Sequence, residues 1–167
     1  MTEMLGKLLL LGAWSALGLS RGRRRRRRAA CLRSLESELE ALSRELRFSR
    51  RPVGDLLERA ARKEDVGMFF AACRKDFIDA DCRSLSDSWR RTLRETPLPL
   101  EDSDRILLAG VGDILGRYDG ATQRRAMEGL GRQLSDAAAE AEEEAKRLFR
   151  VDAALGITAG LFCVLLL

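Results

Sequence analysis

Two ends nearly free of charge enclose a strongly charged middle with helical periodicity. The first apolar stretch, residues 4–20, reads MLGKLLLLGAWSALGLS, and the last, residues 151–167, reads VDAALGITAGLFCVLLL. Each holds 17 residues, which as a helix cover ~25 Å against the ~30 Å hydrocarbon core of a bilayer. Lys7 and Asp152 sit near the segment ends, where a long or terminal side chain reaches the interface. The pattern therefore predicts a transmembrane helix at each end. Between them, Leu32, Leu35, Leu39, Leu42 and Leu46 recur at alternating three- and four-residue steps, with Arg33, Glu36, Glu38, Glu40 and Arg44 on the other faces. That is the seam of an amphipathic helix.

Pro52 ends that helix or opens the next, a short one through Leu56, Leu57, Ala60 and Ala61. A third is expected over 65–78 with Met68, Phe69, Ala72, Cys73 and Phe77 inward, and a fourth from a Ser84 or Ser86 cap through Trp89 and Leu93 to Arg94. Thr96-Pro97-Leu98-Pro99-Leu100 reads as a loop. Asp102 or Ser103 opens a fifth helix carrying Ile106, Leu107, Val111, Ile114 and Leu115, which Gly116 and Asp119-Gly120 break. Asp119 or Thr122 caps a long final helix with Met127, Leu130, Leu134, Ala138, Ala141, Ala145 and Leu148 on its inner face. The expected architecture is all-α: a cytoplasmic bundle of about six helices between an N-terminal and a C-terminal transmembrane helix. The divisions are 4–20 (first span), 21–28 (arginine-rich segment), 29–150 (helical bundle) and 151–167 (second span). The first and last bundle helices should run antiparallel, bringing the acidic run Glu140 to Glu144 to the height of the arginines.

Composition refines this picture. At 167 residues and 46% hydrophobic, the chain is one domain's worth of sequence and not a disordered polymer. Its net charge of +4 arises in one place. Arg21, Arg23, Arg24, Arg25, Arg26, Arg27 and Arg28 form the run, whereas residues 29–150 hold 22 basic and 24 acidic side chains. The positive charges follow the first apolar stretch, the reverse of a cleavable signal peptide. Lys146, Arg147 and Arg150 precede the second stretch. By the positive-inside bias, both basic flanks place 21–150 in the cytoplasm and the termini across the membrane. Gly12 with Ala16, and Gly156 with Gly160, are small residues one turn apart. They allow two spans to pack closely, within the chain or between subunits, although small residues are common enough in such helices to give the spacing by chance.

Candidate chemistry is sparse. The chain has no histidine, so the usual neutral-pH base and zinc ligand are absent. Cys31, Cys73, Cys82 and Cys163 form no C-x-x-C pair and read as buried thiols of a reducing compartment. Gly110, Gly112 and Gly116 follow a helical pattern and not a strand, so close helix packing explains them better than a phosphate loop. No enzyme, cofactor or metal site is expected. The arginine run lacks aromatic interleaving and leads into a net-negative domain, which argues against nucleic acid. It suits a topology signal, contact with anionic membrane lipid at ~1 kcal/mol per residue, or both.

Several strings together resemble a known family. They are L-x-x-L-x-x-x-L-x-x-L-x-x-E-L-x-F from Leu32 to Phe48, Pro52 with Leu56 and Leu57, and Leu85-x3-Trp89. Asp104-x-x-Leu107 leads to Leu115-Gly116-Arg117-x-Asp119-x3-Gln123, and Arg147-Leu-Phe-Arg150 precedes Leu155-Gly156-x3-Gly160-Leu161. The chain resembles the stage III sporulation protein AB family over essentially its whole length. It departs from the family's usual Thr-Pro-Leu step at Arg51-Pro52-Val53, and its arginine block is heavier. The resemblance implies a non-enzymatic platform subunit of a sporulation-specific, secretion-like channel complex in the mother-cell membrane. Its helical domain, similar to that of type II secretion F proteins, would dock a secretion-type ATPase alongside other channel subunits. Secretion F proteins carry two such domains and this chain has room for one, which implies a homo-oligomer. Leu98 in its loop and Gly116, Asp119 and Gln123 at the turn between the fifth and final helices are the candidate docking residues; capping and shaping the turn accounts for the last three better than docking does. The alternative is a peripheral membrane adaptor that binds anionic lipid or nucleic acid through the arginine run.

Overall fold

A computed structural model describes residues 2–48, 52–79, 84–115 and 120–166. Six helices are present: α1 (Thr2–Phe48), α2 (Val53–Ala60), α3 (Gly67–Asp79), α4 (Leu85–Glu95), α5 (Asp102–Leu115) and α6 (Gly120–Leu166). The chain divides into two compact units, one from Met1–Ala29 with Glu140–Leu167 and one from Ala30–Ala139. α1 and α6 contribute residues to both.

The second unit holds the bundle. Leu32, Leu35, Leu39 and Leu42 of the seam are all buried. Pro52 stands at the N-cap of α2 with φ −57° and ψ 140°, where its missing N–H costs nothing and its fixed φ suits the entry. The α2–α3 connection depends on a glycine. Gly67 donates its N–H to the Lys63 carbonyl at 2.8 Å, and a Cβ there would come within 2.4 Å of the Ala61 carbonyl oxygen. Of the two candidate caps of α4 it is Ser84 that serves, its hydroxyl accepting from the Asp87 N–H at 3.2 Å. α5 opens differently from either expected cap. The Asp104 carboxylate, 2% exposed, accepts from the Glu101 N–H at 2.9 Å, the reach-back half of a capping box. Arg105 ties the connecting loop down: its guanidinium donates to the carbonyls of Leu93 at 2.5 Å and Leu98 at 3.1 Å. A cation at the end of α4 also complements the helix dipole.

The centre of this unit is aromatic. Trp89, Phe69 and Phe70 are fully buried. Phe69 meets the indole edge-on at 4.7 Å between centroids, and Phe70 packs at 6.0 Å from it. Edge-to-face pairs of this kind are worth ~0.5–1.5 kcal/mol beyond their buried area. The indole N–H donates to the Leu108 carbonyl at 2.8 Å, so burial leaves no polar atom of Trp89 unsatisfied. Close approach of α4 to α5 is possible because residue 112 is glycine: a Cβ there would lie 2.7 Å from Trp89 Cδ1. The helix-packing reading of the glycine string holds at Gly112. At Gly110 the same test finds only Leu130 at 3.6 Å, an ordinary contact.

The helix phases differ from expectation at two places. On α3 the buried set is Phe69, Phe70 and Cys73, and Met68 is 61% exposed. On α5 it is Leu108 and Val111, and Ile106 is 75% exposed. Both helices carry apolar residues on more than one face, so periodicity alone leaves the phase undetermined. Leu134, Ala138, Ala141 and Ala145 of α6 are buried as expected.

The expected membrane spans are overturned. Among the described residues, no helix is long and apolar enough to cross a membrane. The stretches 4–20 and 151–167 are not separate elements but the opening of α1 and the close of α6. Each is short of the ~20 apolar residues that a span needs, and each contains a charged residue, Lys7 or Asp152. Asp152 is moreover ion-paired to Arg25 at 2.6 Å, which binds the start of the second stretch to the most charged part of α1. The transmembrane helices, the two-span topology and the integral-membrane localisation around a cytoplasmic domain fall together.

Paired substitutions test the α4–α5 packing. Gly112→Ala should lower unfolding stability by about 1–3 kcal/mol through overpacking against Trp89. Gly110→Ala should raise it by up to about 1 kcal/mol through helix propensity. Urea denaturation followed by far-UV circular dichroism reads both.

Candidate functional site

The arginine run lies within α1 in the first unit, where α6 runs antiparallel to it. Gly22 and Ala29 are buried on the side facing α6, and a Cβ at Gly22 would approach the Phe149 ring to 3.3 Å. Arg25 and Arg28 are on this inner side. Arg25 reaches Asp152 at 2.6 Å and Glu144 at 3.8 Å, and Arg28 reaches Glu144 at 3.4 Å. The guanidinium of Arg26 stacks over Phe149 at 4.3 Å, a contact worth ~0.5–1 kcal/mol at an exposed site. The acidic run thus meets the arginine run as its position suggested. Arg21, Arg23, Arg24 and Arg27 are exposed and, among the described residues, have no carboxylate within ion-pair distance. The run is divided between arginines that join two helices and arginines that face outward.

On α6, Lys146 and Arg147 are exposed beside this pairing. The Arg150 side chain lies outside the described residues, as do Gly12, Ala16, Gly156 and Gly160, although all five positions are helical. Of the docking candidates, Leu98 is 7% exposed and turned into the bundle. Gly116 and Asp119 lie outside the described residues, and so does the side chain of Gln123 near the start of α6. The structure therefore brings together the arginines and the acids.

The two described thiols are inert. Burial, with Asp65 and Asp104 adding to it, pushes the Cys31 thiol up to about 11. Burial, with Asp76 adding to it, pushes Cys73 up to about 12. Both remain protonated at neutral pH and are poor nucleophiles. Among the described residues no group of His, Cys, Asp or Glu could hold a metal ion. Sequence reasoning missed Arg105 and the capping role of Asp104, which organise the loop before α5. The Glu101-x-x-Asp104 spacing was the available signal for the second.

The model of the stage III sporulation protein AB family matches residues 3–167. The chain belongs to that family. The resemblance read from its motifs is thereby established over nearly the full length. A solved structure described as stage III sporulation protein AB superposes with a TM-score of 0.67 at 22% identity, covering 71% of this chain and 96% of the other. At that identity the likeness establishes the fold. No curated protein matches the chain.

Two measurements follow from the site. A double-mutant cycle on Arg25→Ala and Asp152→Ala should give a coupling of about 0.5–1 kcal/mol that shrinks in high salt, because the pair is partly exposed. The thiols give a pH signature. A buried thiol holds its proton where the unfolded thiol, near 9.0, loses it. Their contribution is therefore complete below pH 9 and declines as pH rises toward 11 and 12. Urea unfolding across that window should show the decline, and Cys73→Ala should reduce it.

Proposed function

We propose that the chain is an assembly subunit of a sporulation-specific, secretion-type channel complex, and that its helical bundle docks the ATPase of that complex. Family membership over residues 3–167 is the observation that carries this reading. The similarity of the family to secretion F proteins supports it, since those act as platforms and not as catalysts. A rigid bundle suits the role. The Trp89 cluster and the Arg105 clamp hold α3, α4 and α5 in fixed register, so a partner meets a surface that needs no ordering on contact.

The docking surface in this proposal comprises the 96–100 loop and the turn between α5 and α6. Leu98 supports its loop from inside, while Asp119 and Gln123 supply polar contacts. Other channel subunits are the remaining partners of the complex, with no cofactor and no nucleic acid. A pull-down of the full chain with the secretion-type ATPase tests the assignment. Asp119→Ala with Gln123→Ala should reduce capture several-fold while the far-UV spectrum and melting midpoint stay as in the parent. Unchanged capture by the folded variant removes the turn from the docking surface, and no capture by the parent removes the ATPase as partner.

A further inference from the structure

The arginines that do not join α1 to α6 stand in a definite arrangement. Buried Gly22 and Ala29 mark the side of α1 that meets α6. At ~100° per residue, Arg24 and Arg27 lie on the opposite side and Arg21 and Arg23 flank them. All four are exposed. On α6, buried Ala141 and Ala145 mark the inner side, and the exposed Lys146 and Arg147 stand off it on opposite flanks. The approach of Gly22 to Phe149 and the Arg25–Asp152 pair fix these two sets of cations at one level of the helix pair. The acids at that level are already engaged, Glu144 by Arg25 and Arg28, and Asp152 by Arg25. From residue 145 to the end of α6, Asp152 is the only acid. Positive charge therefore points outward from both sides of the pair. A partner seated on one side, such as an acidic peptide or a nucleic-acid strand, leaves the cations of the other side unmet. A layer of phosphates meets them together.

An apolar face adjoins the cations. Arg147, Val151, Leu155, Thr158 and Phe162 follow one another at steps of three or four residues, which places them on one face of α6, and all are exposed. Leu155 is 62% exposed and Phe162 is 65% exposed. The hydroxyl on this face is not left to water, because Thr158 donates to the Ala154 carbonyl of its own helix at 2.6 Å. A hydroxyl satisfied in this way can enter apolar surroundings at little cost. A basic band followed by an exposed apolar face is the combination that holds a helix to an anionic lipid surface. We infer that Arg21, Arg23, Arg24 and Arg27, with Lys146 and Arg147, bind the phosphate headgroups of anionic lipid, and that Val151, Leu155 and Phe162 rest against the acyl chains beneath. Contact of this kind requires no membrane span and is independent of the docking role proposed for the bundle.

Cosedimentation of the full chain with vesicles tests the site. The chain should bind vesicles of phosphatidylglycerol and phosphatidylcholine at least about tenfold more tightly than phosphatidylcholine alone, and the difference should shrink as salt is added. Arg23→Gln, Arg24→Gln and Arg27→Gln together should weaken binding to the anionic vesicles at least about tenfold, with the melting midpoint of the parent. Arg94→Gln, Arg125→Gln and Arg132→Gln remove the same charge from exposed positions of the bundle and should leave binding within about twofold of the parent. Leu155→Gln with Phe162→Gln should also weaken binding, and should make what remains more sensitive to salt. Equal binding to the two kinds of vesicle, an arginine variant that binds as the parent does, or a bundle variant that loses as much would each overturn the inference. Tighter binding to random duplex DNA than to the anionic vesicles at the same salt would assign the arginines to nucleic acid and overturn it too. ATPase capture is read without lipid, so its failure leaves this result untouched.

Discussion

The placement of one indole governs the bundle. Trp89 can be buried only if its N–H finds a partner, and the partner is a main-chain carbonyl on the neighbouring helix, Leu108 at 2.8 Å. That bond sets α4 against α5 at a separation which residue 112 tolerates only as glycine. The same ring presents its faces and edges to Phe69 and Phe70, which brings in α3. A hydrogen bond unmade inside such a core costs the full desolvation of the donor, ~1–3 kcal/mol. Three helices are thus held to one buried indole. Arg105 extends the constraint to the 96–100 loop by closing on the carbonyls of Leu93 and Leu98.

Charge plays a different part in the other unit. The excess of +4 belongs to about two turns of α1, and helix α6 meets it with Glu144 and Asp152. Partly exposed pairs of this type contribute little individually. Their effect is register: Arg25 and Arg28 select the acids, and Phe149 lies between Gly22 and Arg26. The contact couples the two ends of the chain through side chains more than a hundred residues apart.

Much of this was legible in the sequence. The leucine seam, the long α6 with its alanine face, the Ser84 cap and the 96–100 loop each rest on local rules that tertiary context did not override. The family motifs were legible too, because they record positions such as Leu85-x3-Trp89 where packing leaves little choice. The phases of α3 and α5 were not legible, since Met68 and Ile106 are as apolar as the residues that face the core. The span reading failed for a related reason. Apolar content over 17 residues is ambiguous in length, and the pairing of Asp152 with Arg25 depends on a helix 127 residues away. The docking residues remain the least legible feature. Leu98 was chosen for its place in a loop, and the loop turns it inward.

The central claim is that Trp89, bonded to the Leu108 carbonyl and seated on Gly112, holds the bundle together as one cooperative unit. Hydrogen exchange of the Trp89 indole N–H, followed by nuclear magnetic resonance in the full chain, tests it most directly. The account predicts that this proton exchanges only through global unfolding, with a free energy equal to that from urea denaturation. Exchange at the rate of an exposed indole, or through a local opening well below the global value, would contradict it.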